Sequence, residues 1–154
     1  MAITIKEVTD KQGLKQFVRF PNELYAGNKY YVPQIESMEI DTLSPEKNRA
    51  FEVCEGKYWL AVDDGGKVVG RVAGIINHKY NKKVGKRICR FGWIDFIESQ
   101  EVVSALLDQV EEYARTKCMD VIEGPVGFLE FDISGVLVEG FDQIPTAYGK
   151  YNHP

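Results

Sequence analysis

Three runs of the chain, at 58–63, 67–76 and 87–96, are short, apolar and rich in β-branched and aromatic residues. Each reads as a strand. Asp63-Asp64-Gly65-Gly66 separates the first two and predicts a hairpin turn. The pattern then changes period. From 100 to 117, Val103, Leu106, Leu107, Val110 and Ala114 recur on one helical stripe, while Asp108, Glu111, Glu112 and Arg115 lie outward. Ser99 stands at the N-cap position of that helix. Val121 and Ile122 form a short core strand within 120–124 that stops at Gly124-Pro125. The order is an antiparallel meander feeding a helix that crosses to another strand.

Upstream, Ile3, Ile5 and Val8 alternate with polar residues and predict a first strand. Thr9 or Asp10 caps a helix whose face carries Leu14, Phe17 and Val18. Pro21 disfavours helical geometry at Phe20, so a break or kink is expected there, with 22–26 as a separate turn. A second helix is expected over 35–43, and Ser44-Pro45-Glu46-Lys47 reads as another helix start. Tyr30-Tyr31-Val32-Pro33 reads as an extended stretch. Its tyrosines cover the core edge or form the wall of an acceptor pocket.

Period two places Arg90, Gly92 and Ile94 on one face of the third run and Phe91, Trp93, Asp95 and Ile97 on the other. Gly92 in mid-strand invites a bulge. His78 closes the preceding strand and reads as structural. Lys79, Lys82, Lys83, Lys86 and Arg87 fall in a solvated turn with phosphate binding as the alternative. From 127 to 142 the chain reads as a polar loop with aromatic anchors, and its acids do not match calcium-loop spacing.

A length of 154 residues gives one domain spanning 1–154. That is long enough to bury about two-thirds of its unfolded surface. With 44% hydrophobic residues a packed core is expected. The formal net charge of −4 lacks the basic footprint of a nucleic-acid binder. Cys54, Cys89 and Cys118 are too widely spaced for a disulfide framework or a zinc site, so no metal is expected. The residues from Met1 to Glu7 carry no apolar signal segment, and no run reaches membrane-spanning length. A cytoplasmic protein away from membranes is the expectation.

The stretch 57–127 resembles the GNAT superfamily of acyl-CoA-dependent N-acyltransferases. More narrowly, Arg19-Phe20-Pro21-Asn22-Glu23-Leu24-Tyr25, Tyr30-Tyr31-Val32-Pro33, Gly74-Ile75-Ile76-Asn77-His78, Phe91-Gly92-Trp93-Ile94-Asp95-Phe96 and Val138-Glu139-Gly140-Phe141-Asp142 resemble a group of bacterial GNAT-like proteins. The resemblance implies an α/β (α+β) fold, a mixed and mostly antiparallel sheet flanked by helices. The superfamily continues past its fifth strand with a helix and two more strands, so the fold is expected to be truncated there. It also implies that strands 88–97 and 120–124 splay, with an acyl-pantetheine arm between them. Acetyl-CoA or another acyl-CoA would then meet Ile94, Phe96, Ile97, Ser99, Gln100, Val102 and Val103.

In that superfamily the pyrophosphate sits on a basic, glycine-rich loop at the helix N-terminus, where free N–H groups favour anions. The corresponding 98–104 segment has no glycine and no basic residue, and Glu98 and Glu101 stand in it. The acceptor amine must lose a proton, and an acid near the end of the fourth strand fits by position; Asp95 and Glu98 are the candidates. For Asp95 the alternative is a capped or salt-bridged strand acid. Two functions follow: acetyl transfer to the amine of a small molecule or peptide, or a non-catalytic ligand- or partner-binding module that has lost the pyrophosphate loop. A strand left uncovered at 120–124 implies a homodimer joined through the segment from Val121 onward.

Overall fold

The computed structural model describes residues 2–146 and 149–154 of the chain. One five-stranded sheet runs in the order β1 (Thr4–Glu7), β2 (Cys54–Val62), β3 (Val68–Asn77), β4 (Ile88–Phe96), β5 (Val121–Glu123). The first four strands are antiparallel and β4–β5 is parallel. Four helices flank it: α1 (Lys11–Leu24), α2 (Glu36–Thr42), α3 (His78–Val84) and α4 (Gln100–Thr116). The β2–β3 hairpin turns where the sequence placed it, with Asp63 accepting from Gly66 N–H and Gly66 at φ 82°.

One face of the sheet packs on α4. Val102, Leu106, Val110 and Tyr113 are buried against Trp59, Val72, Ile76 and Cys89. Val103 and Leu107 flank that line rather than forming its centre. The other face packs on α1 and the 40–58 region, through Phe17, Val18, Leu43, Tyr58 and Ile75, with Phe128 brought in from the loop after β5.

Several local expectations are corrected. α1 is not broken at Pro21; it continues to Leu24. Proline removes the N–H that would bond the carbonyl four residues back, at Phe17. Arg71 Nη1 donates to that Phe17 carbonyl at 3.0 Å, so the freed acceptor is satisfied from the sheet. The 44–47 segment is a hydrogen-bonded turn, and a short 3-10 helix follows at Arg49–Glu52. The basic cluster begins on a helix, α3, capped by the Asn77 side chain, rather than in an open turn.

The register of β4 also departs from strict alternation. A bulge separates the Asp95–Arg71 pair from the Gly92–Ala73 pair, and Trp93 sits there at φ 46°. The bulge puts one more residue on β4 than on β3, which reverses the facing of everything beyond it. Phe91 therefore packs on the α4 side, whereas Trp93 joins the core on the α1 side; Ile97, past the end of β4, also packs on the α4 side. Asp95 meets Tyr25 from α1 on that same side.

Candidate functional site

β4 and β5 pair only over Ile88–Val121, Cys89–Ile122 and Arg90–Glu123. The chain then turns away through the Gly124–Pro125 bond, and Val126 N–H takes the Phe91 carbonyl at 2.8 Å. The approach is so close that a Cβ on Gly92 would stand 2.6 Å from the Val126 carbonyl oxygen. Beyond this point the outer edge of β4 has no partner strand among the described residues. Asp95 pairs inward with Arg71 of β3, so Ile94 and Phe96 turn their backbone groups outward.

Beside that edge is a cavity of about 250 Å³, its walls including Tyr31, Gln34, Ile133 and Tyr151. Its polar base is a buried cluster centred on Asp95. Oδ2 accepts from Arg71 Nε and Nη2, both at 2.8 Å. Oδ1 accepts from the Tyr25 hydroxyl at 3.0 Å and from Lys150 Nζ at 3.0 Å. Lys150 Nζ also donates to the Ile94 carbonyl at 2.5 Å, on the open edge itself. Burial pushes the Asp95 carboxyl up, but Lys150 and Arg71 together pull it below the usual carboxylate range. Burial and the Asp95 charge push Tyr31 up to about 12 and hold Tyr25 higher still, so both phenols stay protonated. The Gln34 side-chain oxygen is buried and has no hydrogen-bond partner. It is a free acceptor at the cavity wall.

The walls come from separate parts of the chain. Tyr31 closes a hydrogen-bonded turn with Asn28 ahead of α2, where an extended stretch was expected, and donates to Asn22 Oδ1 at 2.6 Å. Its ring lies 4.8 Å from that of Tyr25. Tyr151 packs edge-on to Tyr25 at 5.4 Å and accepts from Asn28 Nδ2 at 2.7 Å. On the neighbouring face, Glu39 of α2 accepts from Trp93 Nε1 at 2.8 Å, which anchors the bulge.

The residues expected from the sequence divide by position. Asp95 lies at the centre, fully buried and committed to four donor groups from three residues. Glu98 is exposed at the entrance to α4. Ile94 and Phe96 form the open edge. The Val102 side chain is core, packed under Gly70, so only its backbone faces the helix start. Ser99 occupies the N-cap but its side chain makes no capping bond, and Gln100 instead donates to Ser104 at 3.1 Å. Sequence reading missed Arg71, Tyr25, Glu39 and Lys150. Arg71 alone carried a signal, as a charged residue inside an otherwise apolar strand.

A larger groove of about 820 Å³ lies across the start of α1 and the 40–47 segment, with Leu14, Ile40 and Tyr58 in its wall. Four lysines and four acids alternate around it, so it presents no net charge to a ligand. Among the described residues no helix is long and apolar enough to cross a membrane.

No family model matches the chain. Protein YghO of Escherichia coli (strain K12) is 29% identical over 150 residues, which is 97% of this chain and 38% of that protein. Bacterial ceramide synthase of Caulobacter vibrioides (strain NA1000 / CB15N) is 28% identical over 133 residues, 86% of this chain and 34% of that protein. The chain thus spans well under half the length of either relative. Among solved structures, a tandem GNAT protein from the clavulanic acid biosynthesis pathway superposes with a TM-score of 0.57 at 14% identity, over 77% of this chain and 34% of that one. AAC(6')-Iy in complex with the bisubstrate analogue CoA-S-monomethyl-acetylneamine also gives 0.57, at 13% identity over 82% of this chain and 81% of that one. A protein from Clostridium acetobutylicum described as a predicted acetyltransferase, solved with acetyl-CoA, gives 0.53 at 13% identity over 79% of each chain. At these identities the likeness speaks for architecture: the five-stranded sheet, its parallel β4–β5 exit and the helix between them are the GNAT acetyltransferase fold.

Proposed function

We propose that this chain carries the acyl-transfer core of an acyl-CoA-dependent N-acyltransferase. The supporting observation is the unpaired outer edge of β4 joined, through the Lys150–Ile94 carbonyl hydrogen bond, to a cavity with a buried ionic base. A thioester arm extended along Ile94, Phe96 and Ile97 would use the outward backbone groups of Ile94 and Phe96, as an added strand does, since Ile97 N–H is taken by the Val69 carbonyl. Its carbonyl would lie near the Ile94 edge. The acceptor amine would enter from the cavity between Tyr31, Gln34 and Tyr151.

The chemistry is direct transfer. The neutral amine nitrogen attacks the thioester carbonyl carbon, forming C–N, and an outward N–H of β4 stabilises the oxyanion. The C–S bond then breaks, the thiolate takes a proton, and amide and free thiol leave. Asp95 serves here as an anchor. Its oxygens are occupied and its carboxyl is held ionised, which makes it a poor proton acceptor. Glu98 lies outside the cavity lining.

The fit for the CoA head is less complete. The backbone N–H groups of Ser99, Gln100 and Val102 at the start of α4 favour an anion, whereas Val103 N–H donates to the Ser99 carbonyl, and Glu98 and Glu101 place carboxylates at the same end. Binding therefore rests on the arm and the acyl chain more than on the pyrophosphate, and acetyl-CoA binds weakly. The name of the Caulobacter relative points to an acyl group joined to a long-chain amine. A long acyl donor and an amine on an apolar chain are accordingly the first substrates to try.

The test is incubation with acyl-CoA thioesters of increasing chain length and a long-chain primary amine, following thiol release and amide mass. Amide formation that improves with chain length supports the reading. Saturable acyl-CoA binding with no amide from any amine supports the non-catalytic module instead. β5 is an edge strand with Val121 46% exposed, so the same reading keeps a homodimer. Light scattering showing only monomer across micromolar concentrations would remove it.

A further inference from the structure

Three ionisable groups share the base of the cavity, and their charges do not balance. Arg71 and Asp95 form a complete ion pair in the interior. Lys150, whose side chain is 18% exposed, is a second cation on the same carboxylate. The groups around it are few: Asp95 on β4, Arg71 on β3, the protonated phenols of Tyr25 and Tyr31 on the α1 side, and the more distant Glu39 on α2. With Arg71 permanently charged, a protonated Lys150 leaves excess positive charge in a desolvated site.

The hydrogen bonds fit the neutral amine. Lys150 Nζ has two acceptors, the Ile94 carbonyl and Asp95 Oδ1. A neutral –NH2 has two hydrogens, both used there, and one lone pair left over. Burial lowers the basicity of Lys150, Asp95 raises it and Arg71 lowers it again, with a net decrease; with the amine neutral, the Arg71 guanidinium and the Tyr25 hydroxyl are what hold Asp95 as a carboxylate. The nitrogen also stands on the strand edge where the donor thioester is placed by the N-acyl-transfer reading, on which this inference rests.

We propose that Lys150 is the catalytic proton carrier of the transfer, accepting the proton of the attacking amine and delivering it to the departing thiolate. As C–N forms, one amine N–H proton passes to the lone pair of Lys150 Nζ. The resulting ammonium is held by Asp95 and the Ile94 carbonyl. As C–S breaks, that proton moves to sulfur, which regenerates neutral Lys150 and yields amide plus thiol. No external acid, base or co-reactant is required. Asp95 and Arg71 are positioning residues in this scheme: Arg71 keeps the carboxylate in place, and the carboxylate orients the amine and steadies its charged form.

Lys150→Arg keeps a cation and a long side chain but has no lone pair to accept a proton. Its kcat/KM should fall by about a hundredfold or more, the usual contribution of a positioned acid–base group. Because arginine fixes a second cation beside Arg71 in a desolvated site, thermal unfolding of the variant should fall, and its activity is compared with the parent's well below that transition. A second variant tests the chemistry separately from the contact. Lys150→Cys, in a Cys118→Ser background, is alkylated with 2-bromoethylamine to restore an amine of lower basicity. Activity should return, with the acid limb of the pH–kcat/KM profile moved to lower pH. NMR titration of the lysine side chains, assigned with Lys150→Arg, should show one amine losing its proton well below the others. Full activity in Lys150→Arg, an unmoved acid limb in the alkylated protein, or a Lys150 that titrates with the surface lysines would each overturn the proposal. A parent protein with no turnover on any acyl-CoA and amine would instead bring down the N-acyl-transfer reading itself.

Discussion

The two faces of the sheet are built from similar apolar content and do different work. The α4 face is continuous hydrocarbon: Val102, Leu106, Val110 and Ala114 close against Val72, Ile76 and Cys89, and Gly70 leaves room for the helix to sit down. The α1 face also buries large apolar side chains, Phe17, Leu43 and Phe128 among them, but it is interrupted by Arg71, Asp95 and Lys150 and bordered by Tyr25 and Tyr31. Burying an ion pair is rarely the best way to stabilise a core, since desolvation offsets much of the attraction. Its presence on one face only, beside an open strand edge, marks that face as the one shaped by chemistry.

The comparison is most sharply tested at Asp95. Replacement by Asn leaves Arg71 buried without a charge partner and should cost about 3–5 kcal/mol in urea unfolding at neutral pH. The sign of the pH dependence is fixed by the same pair. Asp95 is held below the ordinary carboxylate range, so its contribution is present above that range and lost as pH falls through the lowered value. Wild type should therefore lose stability on acidification more steeply than Asp95→Asn.

On the hydrocarbon face the loss is of a different kind. Leu106→Ala, at a fully buried site, should cost about 2–5 kcal/mol through lost burial and a residual cavity. That loss should not depend on pH, which separates it from the Asp95 effect. Gly92→Ala comes next. Its methyl would meet the Val126 carbonyl, forcing β4 and the 124–127 segment apart, at about 1–3 kcal/mol. If the reading of the open edge holds, that variant also weakens acyl-CoA binding, measured by calorimetry. The smallest change is expected at Phe131→Ser. The ring is 85% exposed and lies outside both faces, so stability should stay within about 0.5 kcal/mol.

The packing face was the legible one. Short apolar, β-branched runs gave β3, β4 and the second half of β2, and period 3.6 gave α4 to within a residue or two, because burial on these elements depends on the neighbours in sequence. The candidate site was legible only in part. Asp95 was found because it stands on a recognised strand near its end. Lys150 was not, because its role comes from a segment without regular structure that folds back across β4, and no local pattern announces such a contact. The Phe91–Trp93 facing was read wrongly for a related reason: a bulge is a property of two strands, and single-strand periodicity does not contain it. The α1 proline failed similarly, since the group that satisfies Phe17 arrives from β3.

That last contact has a historical consequence. Arg71 holds Asp95 with one edge of its guanidinium and caps the carbonyl orphaned by Pro21 with another. The two positions therefore do not accept substitutions in either order. With Pro21 present, loss of Arg71 strands both a buried carboxylate and a helix carbonyl. With an ordinary residue at 21, the helix makes its own bond and only the carboxylate is left. Lineages of this fold should be able to exchange Pro21 while keeping Arg71, but should reach a chain without Arg71 more easily after Pro21 has gone. A proline in one helix thereby sets the sequence of steps by which the ionic base of the cavity is gained or dismantled.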